Sequence, residues 1–425
     1  MLIRGGTVVD PANARHERAD VLIADGRIAA VDRPGAIPSE GCEVIDATGQ
    51  IVAPGFVDMH VHLREPGYEY KETVATGCMA AVAGGVTSVA CMPNTNPVND
   101  NGAVTKYIID KAALARLANV FPIGAVSVGL AGERLAEFGE MHEAGIVAVS
   151  DDGRPIMNSA LMRRALEYAR MFGFPVIAHE EDLHLCEGGV MHEGLTSIRL
   201  GVRGLPSAGE AVMVARDIEL VRCTGGRLHV AHVSTAEAVE MIRRAKEEGL
   251  AVTAEATPHH FTLDERAVEG FNTNAKMYPP LRSRRDVAAV QRGLADGTSD
   301  AIATDHAPHH RDEKGVEFDR AAFGVVGLET SLPLALDLVR KGILDLSRMI
   351  EAMSLAPARI LGIERGTLSV GAVADVVIFD PEREWRVEAA KLTSKGKNTP
   401  FDGWTMKGRA TRTIVGGRSV WRGDA

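Results

Sequence analysis

Short apolar runs alternate with longer amphipathic stretches through most of the chain. Runs rich in Val, Ile and Ala fall at residues 51–63, 86–92, 120–128, 146–150, 175–179, 227–233, 251–256 and 300–304. Runs of this length and composition predict strands buried on both faces of a parallel sheet. Between them the apolar positions recur at helical spacing, most clearly over 161–171 (LMRRALEYARM) and 236–248 (AEAVEMIRRAKEE). Gly173 and Gly249 follow these two stretches and read as helix stops. Eight strand-then-helix units predict an α/β fold of the (β/α)8 TIM-barrel type. The competing architecture is a doubly wound open sheet. It calls for a Gly-rich phosphate turn after its first strand, and neither GxGxxG nor GxxxxGK[ST] occurs.

The two ends of the chain read differently. Residues 1–52 carry short strand-like runs broken by turns (Gly6–Asp10, Asp20–Ile23, Arg27–Val31), and residues 366–425 do the same (Ala374–Asp380, Ala410–Val415, Gly416–Trp421). Each flank is too short to bury a good β core by itself. We therefore expect one small β-sandwich built from both ends, with the barrel, residues 53–365, inserted between them.

Composition narrows the function. The chain has 425 residues, 45% apolar and 24% charged, as in ordinary globular proteins. Its formal net charge is −10, with no basic run or stripe, which argues against a nucleic-acid partner. An anionic substrate must then be drawn in by local charge. No apolar stretch approaches the ~20 residues that span a bilayer, and the first residues lack the apolar core of a signal peptide. The five cysteines (Cys42, Cys78, Cys91, Cys186, Cys223) are scattered without a CxxC and read as reduced packing residues of a cytoplasmic protein.

The candidate chemistry gathers at the C-terminal ends of the expected strands. His60 and His62 sit two positions apart in the apolar run GFVDMHVHLR, so both rings face the same way, and Arg64 continues that face. Later strands end in Met92-Pro93-Asn94, Ser150-Asp151-Asp152-Gly153, His179-Glu180-Glu181-Asp182, His232-Val233-Ser234, Thr257-Pro258-His259-His260 and Asp305-His306-Ala307-Pro308-His309. Active sites of (β/α)8 enzymes lie at this end. Imidazoles and carboxylates converging there suit Zn²⁺ or a similar ion, which lowers the pKa of its water toward ~7 and polarises a carbonyl. Asp151 and Asp152 compete for one role, and spacing does not choose between them. His259 and His260 read as supporting or structural residues, and Glu180-Glu181-Asp182 as an acidic loop in which Glu180 could orient a histidine. His16, His142, His184 and His192 read as surface residues. Met79, Met141, Met157, Met162 and Met171 read as packing. The polar segment from Pro308 to Phe318 reads as a lid.

These motifs resemble a known family. Residues 54–67 (PGFVDMHVHLREPG) look like the first signature of dihydroorotases, within the amidohydrolase superfamily, and Ala303–His309 followed by Lys314 looks like the second. Met92–Thr95 and Pro279–Arg282 match further segments, so the resemblance runs nearly the length of the chain. It implies a reversible cyclisation of N-carbamoyl-L-aspartate to L-dihydroorotate and water, dependent on one or two Zn²⁺ per subunit. His60, His62 and Asp305 are the implied ligands at one site, and His179 and His232 at a second, with Asp152 bridging. Asp305 is implied as the catalytic base and acid. His62, Arg64, Asn94, His309, Phe323 and Gly324 are the implied substrate contacts, the last two through their backbone. The chain departs from the family at Tyr278, where Asn usually precedes Pro-Pro-Leu-Arg. A hydantoinase or allantoinase shares the His-x-His pair but uses a carboxylated lysine that Ser150–Gly153 does not offer. A non-catalytic chain that only assembles with aspartate carbamoyltransferase should have lost ligands. The family reading leaves room for a homodimer and for an active enzyme bound to that transferase.

Overall fold

Eight parallel strands, each followed by a helix, organise the computed structural model, which describes residues 1–423. The strands are β1 (Phe56–Val61), β2 (Val86–Cys91), β3 (Asn119–Pro122), β4 (Val149–Ser150), β5 (Val176–Ala178), β6 (Leu228–Val230), β7 (Val252–Ala256) and β8 (Ala301–Ile302). Neighbours pair in parallel in two arcs, β1 to β3 and β4 to β8. Parallel bridges at Gly124–Val149 and Val61–His306 join the arcs into a closed ring. The eight main helices run Val74–Ala83, Gly102–Ala115, Phe138–Ala144, Ser159–Phe172, Ser207–Thr224, Ala236–Glu247, Arg284–Asp296 and Ser331–Arg340. This is the (β/α)8 barrel that the alternation of runs predicts.

The strands are buried because both of their faces are covered. Met59, Ala90, Ile123, Ala148, Ile177, Ala231, Ala301 and Ala303 meet in the barrel interior, while Val57, Val89, Val176, Leu228 and Val252 face the helices or their neighbours and are at most 2% exposed. Each such side chain contributes roughly 1.5–3 kcal/mol by leaving water. The helices obey local signals. Thr73, Asn158, Thr235 and Ser283 cap N-termini by accepting backbone N–H bonds, and Gly173 closes its helix at φ +75°.

Several expected strands prove shorter than their apolar runs. The run 51–63 is two strands, Ile51–Pro54 and β1, which belong to different sheets. The run 120–128 leaves the ladder at Pro122 and continues as irregular chain, where Val126 and Ser127 donate their N–H groups to Asp151. Apolarity reports burial, and a loop that packs over the barrel mouth is as buried as a strand.

Apart from a short parallel pair, Met191–His192 with Gly204–Leu205, both chain ends build the remaining β structure. One sheet runs Arg27–Asp32, Asp20–Ala24, Leu2–Arg4, Val44–Asp46 in spatial order; the other runs Arg418–Arg422, Thr405–Val415, Val376–Arg386, Ile51–Pro54, Thr7–Asp10, Arg15–Arg18. Ile3, Val8, Val21, Ile28 and Val52 from one end pack with Val376, Ile378 and Ile414 from the other. Not all of the C-terminal flank stays there. The stretch 393–399 returns to the barrel mouth, where Ser394 Oγ donates to Glu72 (2.5 Å) and Asn398 Nδ2 donates to the carbonyls of Ala307 (2.9 Å) and Gly324 (3.0 Å).

Three surface and packing expectations are corrected. His192 is buried rather than exposed, because it lies in a short strand with Met191 against the Arg282 guanidinium. Met171 is 77% exposed at the end of its helix, outside the apolar stripe that buries Met162. Cys223 is exposed, whereas Cys78, Cys91 and Cys186 are buried; all five thiols are free. No described helix is long and apolar enough to cross a membrane.

Candidate active site

The centre of the site is the carboxylate of Asp152, just beyond β4. Its Oδ1 lies 3.5 Å from His60 Nε2, 3.6 Å from His179 Nδ1 and 3.3 Å from His232 Nε2, and its Oδ2 lies 3.4 Å from His62 Nε2. The two oxygens thus turn to different imidazoles, as a bridging carboxylate does. Asp305, just beyond β8, places Oδ1 at 3.1 Å from His62 Nε2 and 3.6 Å from His60 Nε2. His60, Asp152 and His232 form one cluster of potential ligand atoms, and His60, His62 and Asp305 a second. The alternative left open by spacing is resolved in the fold. Asp151 points away, its oxygens taken by the N–H groups of Val126 (2.8 Å) and Ser127 (3.0 Å) and by the Ser127 hydroxyl.

The donor set fits a cation. His60 Nε2 is fully buried and has no hydrogen-bond partner. Burial opposes charge on His60, yet Asp152 and Glu255 hold its pKa well above the ordinary value. Burial likewise opposes charge on His179, but Asp152 and Glu181 push it up to about 10. These carboxylates make a pocket that retains positive charge, and neutral imidazoles with carboxylates are the donors a borderline divalent ion takes.

Carboxylates and amides behind the rings fix their orientation. Glu255, on β7, stands 2.6 Å from His60 Nδ1 and 3.2 Å from His229 Nε2. Asn94 Oδ1 lies 2.9 Å from His62 Nδ1, and Glu181 Oε2 lies 3.4 Å from His179 Nε2. In each case the far ring nitrogen is held so that the near one faces Asp152. Glu255 went unassigned in the sequence, although a lone carboxylate inside the run AVTAEA was a signal that it has a buried partner. The acidic-loop reading of 180–182 is also corrected: Glu180 and Glu181 are buried. Glu180 sits by Asp217 and Arg216, so Glu181, not Glu180, faces His179. His260 is structural, bonded to Thr257 Oγ1 (2.7 Å) and the Pro279 carbonyl (3.0 Å).

Arg64 is not placed by strand alternation. The strand ends at Val61, and Arg64 adopts φ +62°. His232 (φ +32°) and Asp305 (φ +46°) also have positive φ, a costly conformation for residues other than glycine that clusters at functional sites. The turn brings Arg64 Nε to the Pro308 carbonyl (3.2 Å) and Nη2 to 3.5 Å from His309 Nε2. His309 Nε2 donates to the Phe323 carbonyl at 2.7 Å. Burial, with the cations of Arg64, Lys71 and Lys314 beside it, lowers the pKa of His309 to about 2.

Gly324 sits at φ +137° with Ala307 so near that a Cβ would lie 2.8 Å from the Ala307 Cβ. Its N–H donates to Lys276 O (2.9 Å), and its carbonyl accepts from Lys314 Nζ (3.1 Å) and Asn398 Nδ2 (3.0 Å). The backbone groups of Gly324 are therefore engaged within the protein and not turned to a ligand. Tyr278 fills the wall beside them. Its ring stacks on His179 (centroids 5.6 Å apart, 8° between planes) and meets Phe323 edge-on at 4.6 Å, while its hydroxyl donates to Glu181. The expected lid carries only a short helix, Arg311–Lys314, anchored by Lys314 Nζ on the carbonyls of Lys276, Ala322 and Gly324.

A closed (β/α)8 barrel with four histidines and two aspartates at its C-terminal mouth, flanked by a composite β unit, defines a cyclic amidohydrolase. Comparison with known proteins agrees. A family profile described as dihydro-orotase-like matches residues 49–238. The chain is 58% identical over 422 residues to a dihydroorotase of Citrifermentans bemidjiense, covering 99% of both chains. It is 58% identical to a dihydroorotase of Anaeromyxobacter dehalogenans, covering 99% of this chain and 97% of the other. Among solved structures, an L-hydantoinase (dihydropyrimidinase) from Arthrobacter aurescens superposes with a TM-score of 0.89 at 27% identity, covering 100% of this chain and 96% of that one. The chain belongs to the dihydroorotase family.

Proposed function

We propose that this protein is the cytoplasmic enzyme that closes N-carbamoyl-L-aspartate to L-dihydroorotate with loss of water, and reopens it, in pyrimidine (UMP) biosynthesis. The observation that carries this reading is the meeting of four imidazoles around Asp152, with Arg64 and His309 3.5 Å apart beside them. His60, His62, Asp152, His179, His232 and Asp305 are the residues to hold Zn²⁺, one ion or two. The ion supplies water activation and carbonyl polarisation when bound.

The chain's own residues do the rest. Asp305 is buried, but His62 and His60 keep its pKa below the ordinary carboxylate value, so it is ionised at neutral pH. In ring opening it accepts a proton from the attacking water and returns it to the departing ring nitrogen. In cyclisation the same transfers run backwards. Arg64 and His309 hold the substrate carboxylate. Its charge offsets the burial and the neighbouring cations that keep His309 neutral without substrate, so the ring takes a proton on Nδ1 and donates it to the carboxylate while Nε2–H stays on the Phe323 carbonyl. Asn94 acts through His62, which it orients. Phe323 and Tyr278 wall the ring. Asp305 and His62 are buried, whereas Arg64, Asn94, Tyr278, His309 and Phe323 are half-buried around them.

A hydantoinase-type activity has the structural likeness to L-hydantoinase in its favour, but the carboxylate at the centre belongs to Asp152 and no lysine is near it in sequence. Metal analysis of the purified protein, paired with hydrolysis of dihydroorotate, hydantoin and allantoin before and after chelation, tests the proposal. The expected result is dihydroorotate turnover that chelation abolishes and Zn²⁺ restores. Turnover of hydantoin in its place, or none at all by the metal-loaded protein, overturns it.

A further inference from the structure

Beside the site, on the outer side of His309, lies a cavity of about 710 Å³ with no carboxylate in its lining. Lys71, Arg311, Lys314, Lys395 and Lys397 line it, with His309 as the wall it shares with the substrate clamp. Such a concentration of cations is notable on a chain of net charge −10. Two of the five have a carboxylate partner: Lys71 Nζ lies 2.7 Å from Glu313, and Arg311 Nε 3.5 Å from Asp312. The other three spend their amines on main-chain carbonyls. Lys395 donates to Glu69 O, Lys397 to Ser394 O (2.6 Å), and Lys314 to three carbonyls between 2.7 and 3.1 Å. Carbonyl dipoles fix the position of an ammonium group but leave its net charge uncancelled. Lys314 is only 5% exposed, and burial with Lys276 nearby lowers its pKa to about 7, so at neutral pH it adds part of a charge and Lys395 and Lys397 supply the larger share.

We propose that this cavity is a cationic antechamber that collects the dicarboxylate substrate and passes it to Arg64 across His309. The inference rests on the cyclisation proposed above and adds a second anion-binding place to it. A repulsive overall field makes such a device useful, since a locally positive, low-dielectric cleft raises the concentration of an anion at its mouth. It also distinguishes the two reactants by charge in their binding, while the ratio of kcat/KM in the two directions stays fixed by the equilibrium constant. N-carbamoyl-L-aspartate carries two carboxylates and dihydroorotate one, so the cavity favours the first. Interaction energy is proportional to charge. The effect on the dianion is therefore the square of the effect on the monoanion.

The test uses the full-length, metal-loaded protein with Arg311→Gln and Lys395→Gln combined; both side chains are exposed and neither belongs to the proposed catalytic set. Lys106→Gln with Arg163→Gln removes the same charge from remote helices as a control. At low ionic strength the first variant should lose kcat/KM by one common factor in both directions, as the fixed equilibrium constant requires, and its competitive inhibition constants should rise about ninefold for the dianion succinate and about threefold for the monoanion butyrate. These effects should shrink as salt rises through 0.3 M or so, where the screening length falls below about 6 Å. The control should match the wild type. Equal rises for the two inhibitors, no rise, or the same rise in the control overturns the antechamber. A wild-type protein that turns over neither substrate instead overturns the enzymatic reading on which it rests.

Discussion

Replacing Glu255 by Gln is the sharpest probe of how the barrel presets its ligands. Glu255 is wholly buried on β7 and reaches the site through His60 and through the His232 backbone N–H, which donates to its Oε1 at 3.3 Å. At 2.6 Å the Glu255–His60 contact is a charge-assisted hydrogen bond, and the second oxygen holds His229 at 3.2 Å. Glutamine has the same shape and can still accept from His60 Nδ1, but it cannot offer a charged acceptor to both rings. His60 Nε2 then becomes a weaker donor, and the ring is freer to adopt the wrong tautomer. Loss of such a supporting partner typically costs 10–100-fold in metal affinity, or about 1.4–2.8 kcal/mol. Competition of the apoprotein with a chromophoric chelator for Zn²⁺ measures this directly, and a urea melt of the apoprotein checks the fold. Affinity within twofold of wild type, in a folded protein, would refute the claim that Glu255 orients His60.

Further outcomes follow from the same geometry. Asp305→Asn should lower kcat by roughly 10²–10⁴-fold while the far-ultraviolet circular dichroism and melting temperature stay near wild type; a kcat close to wild type would remove Asp305 from its role. Arg64→Ala should raise KM for dihydroorotate far more than it lowers kcat, by about 2–5 kcal/mol if the carboxylate pair is desolvated; steady-state kinetics with an unmoved KM would show that Arg64 is not the clamp. His192 gives a pH dependence unconnected with the site. Burial, and Arg282 beside it, lower its pKa to about 4, below the ~6.5 of the unfolded chain. The unfolded chain therefore takes up a proton that the fold refuses between those values, so this residue removes stability as pH falls from 6.5 to 4, by at most about 1.4 kcal/mol per pH unit. His192→Gln should flatten that part of the stability–pH curve in urea melts, and an unchanged slope would refute the assignment.

Much of this protein is written locally. The alternation of apolar runs and amphipathic stretches specified eight strand–helix units, because burial on two faces and burial on one stripe leave different periodicities. His60, His62, His179, His232 and Asp305 were legible for the same reason: a titratable residue closing an apolar run marks a strand end, and strand ends converge in a barrel. The flanking strands, too, were visible at both termini as runs too short to stand alone.

Other features depended on contacts between distant segments. Asp151 and Asp152 are chemically identical neighbours, and only the chain beyond β3, folded back so that Val126 and Ser127 donate to Asp151, decides which carboxylate faces the histidines. Arg64 looked like the next residue on a strand face, yet a positive φ carries it elsewhere, because closure of the ring at Val61–His306 ends the ladder before it. Glu255 and Glu181 acquire their roles from rings far away in sequence. Asn398 and Lys395, read as part of a β flank, reach the barrel mouth because the C-terminal segment returns there. Sequence order records what each residue prefers to be buried with; which partner it meets is set by closure of the barrel, and that closure is a property of the whole chain.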